Sequence, residues 1–391
     1  MRRAIVVVVG AAVWGAPIAA VAAPTYGALG ERIAAAWRPL ASGAYPPPSS
    51  ANYATALLGD VQVRTGLARR DRALLWRGAR SVTAACRHPT RHRPFQLLAI
   101  ADAYLSSVDG RSAYLERHRG IWERCLRRAR PSFAERWDAG SYGDNWQLVE
   151  WAARVLIGRA GITSGDPRTL ASGAFDTRIR RVLDRLPRLA ISGGGCFVGD
   201  PGSWPFAYDV FVAAMLRIAG DPLADCAATG VRAIAAPDGD IAYSGRSYQQ
   251  SWVLAASAFV LLRSGHEGEA AAAYGRLRPY IHRRVRITPC MCDLDRYAHV
   301  PTYNGLTAFF LLQAGDVRPV EPTYESGEVR SSLFRISRSA TRFTAEILIG
   351  AAARGRPHDG RYRGGVVRDK ALRGDGWVDL APELRSDGPT D

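Results

Sequence analysis

From Tyr26 to Ala314 the chain holds one period with few interruptions: apolar residues return every three or four positions. Leu57, Leu58 and Val61 show it, as do Leu97, Ile100, Ala101 and Leu105, and Val149, Ala153 and Leu156. That spacing gathers side chains on one face of an α-helix. Breaks fall at Pro47-Pro48-Ser49-Ser50, His88-Pro89, Ser107 to Gly110, Asp138 to Gly143, Ser192 to Ser203, Pro237 to Gly239 and Thr288-Pro289. They divide the stretch into roughly a dozen helices, set in successive pairs without a strict sequence repeat. The expectation is a mainly α fold, an α/α toroid in which helical hairpins surround a central cleft. A plain helical solenoid is the alternative.

The period changes after Val320. Ser332 to Ile336 and Arg342 to Ile349 alternate in polarity, so Phe343, Ala345, Ile347 and Ile349 would share one face. A small C-terminal antiparallel β-element is expected there, followed by a loop from Arg354 to Arg363 and a disordered tail. The division that results is a signal peptide over 1–22, the toroid over 23–318 and a β-rich extension over 319–391.

The export signal rests on Arg2 and Arg3, a short apolar core from Ile5 to Val13, and a small-residue cleavage site at Ala20-Val21-Ala22. Gly15 and Pro17 interrupt the apolar run before it could span a bilayer, so no membrane association is expected once the signal is cut. Six cysteines in an exported chain favour disulfides, with Cys86–Cys125 and Cys196–Cys226 as the natural pairs. Cys290-Met291-Cys292 precedes Asp293, Asp295 and His299, but no second Cys/His cluster completes a tetrahedral set, and no metal or other cofactor is expected.

The formal net charge is +16, which falls to +14 without Arg2 and Arg3, and Lys370 is the only lysine. Guanidinium groups bind carboxylates and sulfates through two parallel hydrogen bonds. Outside a cell such a chain would attract uronic or sulfated polysaccharides, teichoic acids and extracellular DNA, and net charge does not choose among them. Nucleic acid is a poorer match, because the arginines are scattered and no DNA- or RNA-binding module is visible. The chain is expected to act as a monomer.

Four helix entrances resemble one another: Tyr142-Gly143-Asp144-Asn145-Trp146, Gly202 to Tyr208, Tyr243-Ser244-Gly245-Arg246-Ser247-Tyr248, and His299 to Asn304. Each sets an aromatic residue, a turn residue and a hydrogen-bonding side chain before an apolar run. Helix starts carry free N–H groups and partial positive charge, which suits anions. In a toroid the four would converge on one mouth. Capping of a helix by Asp144 or Asn145, and burial of Trp146 or Tyr208 in a core, are the plainer roles for those residues.

Asp144-Asn145-Trp146 with Glu150, then Cys196-Phe197 through Tyr208, then Gly245-Arg246-Ser247, resemble in order and approximate spacing the site motifs of the hyaluronate, chondroitin AC and xanthan lyase family. The resemblance covers Ala139 to Leu262. It implies β-elimination on a uronate-containing polymer. Asn145 would hold the uronate carboxylate, Tyr208 would take the neighbouring proton and return one to the leaving oxygen, and Arg246 would hold Tyr208 or the carboxylate. Trp146, Trp204, Asp200, Tyr243, Tyr248, His299 and Asn304 are the candidate substrate-binding residues, with Trp204 the best sugar platform. The family carries a His ahead of its Tyr, where this chain has Gly199 and Asp200. Asp200 or His299 would have to take over that role. The family also carries large β-sandwich domains, and the stretch after Val320 is short beside them.

Two other functions fit the same architecture. A toroid glycoside hydrolase would use two carboxylates from Asp144, Glu150, Asp200, Asp209 and Asp240. A noncatalytic carbohydrate-binding or cell-wall protein would keep the cleft without the chemistry.

Overall fold

The computed structural model describes residues 24–45, 53–110, 112–132, 145–184, 188–198, 206–241, 250–278, 300–331, 334–347, 365–374 and 376–380. Among them are twelve helices: α1 (Tyr26–Ala36), α2 (Ala54–Arg69), α3 (Arg72–Arg87), α4 (Arg93–Asp109), α5 (Glu116–Arg127), α6 (Asn145–Arg159), α7 (Gly173–Leu183), α8 (Phe206–Ala219), α9 (Leu223–Ile234), α10 (Ser251–Leu262), α11 (Glu267–Leu277) and α12 (Val300–Ala314). The helical region therefore begins and ends where the period does.

The even-numbered helices form a closed ring. α2 packs on α4, α4 on α6, α6 on α8, α8 on α10, α10 on α12, and α12 returns to α2. The odd-numbered helices lie outside: α1 against α12 and α2, α3 against α2, α5 against α3 and α4, α9 against α8, and α11 against α10. This is the α/α toroid. Sequence character explains the sorting. α10 (SWVLAASAFVLL) is apolar on every side and buried from Ser251 to Leu261. A helix of that kind needs neighbours all round. Among the described residues of α5, by contrast, only Trp122 and Leu126 are buried.

Close packing of α2 and α3 relies on missing side chains. A Cβ on Gly78 would lie 2.6 Å from the Val63 nitrogen and 2.7 Å from the Gly59 carbonyl oxygen. Asp71 starts α3 by accepting from the Ala73 and Leu74 N–H groups at 2.9 and 3.0 Å, the usual service of an Asp before a helix.

Between Asp184 and α8 the chain departs from the helical expectation. β1 (Arg188–Ala190) and β2 (Cys196–Val198) form a small antiparallel hairpin. The Cys196–Cys226 disulfide ties β2 to α9. Cys86 and Cys125 meet between α3 and α5 as free thiols rather than as a bond; the Cys125 thiol donates to the Cys86 carbonyl at 3.9 Å.

The C-terminal sheet is antiparallel, in the order β3 (Gly327–Arg330), β4 (Phe334–Arg338), β5 (Arg342–Ile347), β6 (Gly365–Arg373), β7 (Gly376–Asp379). Phe334, Ile336 and Arg338 alternate inward along β4, and Phe343 and Ala345 are buried on β5. The sheet docks on the ring through Phe334 against Phe197, with ring centres 5.6 Å apart, and through Arg338 donating to the Ala233 carbonyl at 2.9 Å.

A dense set of ion pairs completes that seam. Lys370 lies 2.8 Å from Asp238 and 2.9 Å from Asp379; Arg276 lies 2.7 Å from Asp238; Arg368 grips Asp240. Asp240, Arg368 and Lys370 are each only 1% exposed. Burial alone would push the Asp240 carboxyl up, but Arg276, Lys370 and Arg368 outweigh it and hold the pKa at about 2. No helix among the described residues is long and apolar enough to cross a membrane.

Candidate functional site

The ring helices run parallel, because starts meet starts and ends meet ends. At one end, Tyr53 before α2 stacks on Phe95 of α4 at 4.4 Å. Phe95 meets Trp146 of α6 edge-on at 6.0 Å and Phe211 of α8 at 5.7 Å. Phe211 meets Trp252 of α10 at 5.6 Å, and Ser251 shares a 3.1 Å hydroxyl contact with Thr307 of α12. At the other end, Arg159 donates to the Ile218 and Ala219 carbonyls, both at 3.1 Å, and Arg263 to the Gln313 carbonyl at 2.8 Å. Arg64 pairs with Asp102 at 2.9 Å, and Gln313 donates to the same carboxylate at 3.0 Å. Cationic side chains thus satisfy the carbonyl ends of the ring, where the helix dipoles are negative. The mouth holds six helix starts with the opposite polarity.

The starts of α6, α8, α10 and α12, the helices that follow the four entrances anticipated from sequence, lie at this mouth; residues 142–144, 202–205, 243–248 and 299 of those entrances lie outside the described residues. Two more starts lie at the mouth, with Tyr53 ahead of α2 and His92 ahead of α4. His92 sits 4.6 Å from Trp146 and 5.2 Å from Tyr53, ring centre to ring centre. Sequence reading passed over it because Arg91-His92-Arg93 resembles a solvated charged stretch. The available signal was position: His92 stands directly before α4, whose first turn carries Pro94.

Tyr208 lies in the first turn of α8, half-buried. The Tyr53 phenol is raised well above its usual pKa, first by burial and then by the nearby Tyr303 and Tyr208 hydroxyls. Three phenols therefore share one electrostatic neighbourhood, in which ionising one raises the cost of ionising the next. Asp209 follows Tyr208. Its residue keeps partial solvent contact, yet protein surrounds the carboxyl, and that desolvation lifts its pKa to about 8. It carries a proton at neutral pH.

Among the other anticipated residues, Trp146 is half-buried in the aromatic cluster. Asn304 is fully buried, and its Oδ1 accepts from Trp37 Nε1 at 3.4 Å, a position suited to bracing the wall behind Tyr303. Asn145 begins α6, but its side chain lies outside the described residues. Arg246, Trp204, Asp200, Tyr243, Tyr248 and His299 also lie outside them, as do Asp144, Cys290 and Cys292.

The carboxylates considered for a hydrolase separate clearly. Glu150 is buried in α6 and accepts from the Ser132 N–H at 2.5 Å. Asp240 is bound in the seam with Arg368 and Lys370, its carboxylate held by counter-charges. Asp209 alone of the described candidates combines a mouth position with a pKa close to neutral.

No protein-family model matches the chain, and no curated protein matches it.

Proposed function

We propose that this is a secreted protein that cleaves an acidic, uronate-containing polysaccharide by β-elimination at the mouth of the toroid, with Tyr208 as the proton-transferring residue. The observation that carries this reading is the convergence of six helix starts on a mouth lined by Tyr53, His92, Trp146, Tyr208 and Tyr303. Aromatic faces suit sugar rings. Helix starts suit the carboxylate, and fixed donors are what a developing aci-carboxylate requires. A phenolate at Tyr208 would need a cation beside it, the role assigned to Arg246 by the family resemblance. His92 takes the place in this scheme that the sequence left empty, as the imidazole against the aromatic wall among the described residues.

One observation favours a second reading. A carboxyl that stays protonated near pH 7, as Asp209 does, is what a glycoside hydrolase uses as its general acid. The two readings differ in product. Elimination leaves a conjugated uronate that absorbs in the ultraviolet; hydrolysis leaves reducing ends without it. Mature protein incubated with hyaluronate, chondroitin, xanthan and alginate should produce ultraviolet absorbance that Tyr208→Phe abolishes. Reducing ends without absorbance, lost in Asp209→Asn and kept in Tyr208→Phe, would replace elimination with hydrolysis. Binding without either product would leave a carbohydrate-binding protein.

A further inference from the structure

On the outer wall, away from the mouth, α3 and α5 enclose a cavity of about 370 Å³ with the turn at Ala41-Ser42. Its lining includes Arg80, Thr83, Arg87, Arg117 and His118, and no carboxylate among the described residues. Three arginines therefore line one space with no described acidic side chain in its wall. Like charges gathered this way repel, and a bound anion relieves the repulsion.

The site is braced from behind. Trp122 donates to Thr83 Oγ1 at 2.9 Å, and Thr83 Oγ1 lies 2.8 Å from His118 Nδ1. Thr83 Oγ1 can donate to Nδ1 while accepting from Trp122, and in that tautomer Nε2–H of His118 is a donor. Burial, then Arg117 and Arg87, lower the His118 pKa, so the imidazole is neutral and the charge comes from the arginines. Arg80 is fixed on two sides: it donates to the Ala41 carbonyl, and its guanidinium lies 4.3 Å from the centre of the Trp76 ring. Trp76 is 44% exposed beside it.

We propose that this cavity is a binding site for a phosphate dianion, either free or carried as a monoester. A carboxylate supplies one negative charge and a planar pair of acceptors, which one guanidinium satisfies. Three arginines with an imidazole N–H match a dianion with acceptors in three dimensions. The volume exceeds that of the ion and leaves room for an organic remainder. The site is independent of the mouth and of the reading given to it.

Calorimetric titration of the mature protein with inorganic phosphate, glucose 6-phosphate and acetate tests this. Phosphate should bind saturably, and the Arg87→Gln/Arg117→Gln pair should weaken it by about tenfold or more. Both residues are exposed at the cavity rim, so the fold should survive. A control pair on the same helix and just beyond its neighbour, Arg72→Gln/Arg128→Gln, removes equal charge and should change affinity by less than about twofold. Tighter binding of glucose 6-phosphate than of phosphate would identify an ester; equal affinities would identify the free ion. Absence of saturable phosphate binding, an equal loss in the control pair, or acetate binding as tightly as phosphate would each overturn the proposal.

Discussion

The seam beneath the C-terminal sheet and the mouth of the ring both bury ionisable side chains, and they resolve the cost in opposite ways. In the seam, Asp238 and Asp240 meet Arg276, Arg368 and Lys370, and Asp240 stays ionised with its pKa at about 2. At the mouth, burial alone lifts Asp209 to about 8, and burial with neighbouring phenols lifts Tyr53. A buried charge matched by counter-charges is a fastening. A buried acid whose pKa is pushed toward neutrality can gain or lose its proton under working conditions, which is the property proton transfer requires.

Asp240→Asn should break the contrast most severely. It removes the carboxylate that Arg368 grips in a dry seam, while Lys370 keeps Asp238 and Asp379, and a loss of roughly 3–5 kcal/mol in unfolding free energy is expected by denaturant titration. The same carboxylate gives the seam a pH signature. Its folded pKa lies below the ordinary 3.8, so its contribution is present above about pH 4 and drains away as pH falls toward 2. Acid melts of wild type and Asp240→Asn should therefore converge at the low end.

Tyr208→Phe should do the reverse: turnover falls by about a hundredfold or more while the denaturation midpoint hardly moves. A parallel loss of stability would make Tyr208 a core residue and remove it from the mechanism. Gly239→Ala probes the turn that carries Asp238 and Asp240. Gly239 has φ +79°, and a Cβ there would lie 2.3 Å from the Ala272 carbonyl. A cost of roughly 2 kcal/mol is expected, read as a lower melting temperature.

Asp209→Asn should act through pH alone. Because the folded pKa is raised, stability in the parent falls as pH rises from about 4 to about 8. The variant should flatten that slope and melt above the parent at pH 8. An unchanged slope would mean that Asp209 is solvated and ordinary.

Much of the fold was legible because it follows from periodicity. The limits Tyr26 and Ala314, the switch to alternation after Val320 and the Cys196–Cys226 pair can all be read from local pattern. The β1–β2 hairpin could not, since three-residue strands carry too little alternation to stand out. The mouth was legible in part. The helices α6, α8, α10 and α12 that start there follow segments singled out in the sequence by their turn residues; Tyr53 and His92 lacked that punctuation. Asp209 was visible as a carboxylate, but its proton affinity depends on how completely neighbouring helices exclude water, which no local window records. The ion seam joins residues more than a hundred positions apart, such as Asp240 and Arg368, and only the tertiary fold brings them together.

Ring closure has a consequence for the route by which the chain folds. Tyr26 donates to the Val317 carbonyl at 3.1 Å, Gly27 to the Gly315 carbonyl at 2.8 Å, and Tyr274 to the Pro24 carbonyl at 2.9 Å. The last ring helix must find the first across nearly the whole domain, so the final seam carries high contact order and should close late and slowly. Because the ends of the helical region meet there, a circular permutant that joins them and opens an exposed turn, such as Gly161, should retain the ring while changing the order in which its helices assemble.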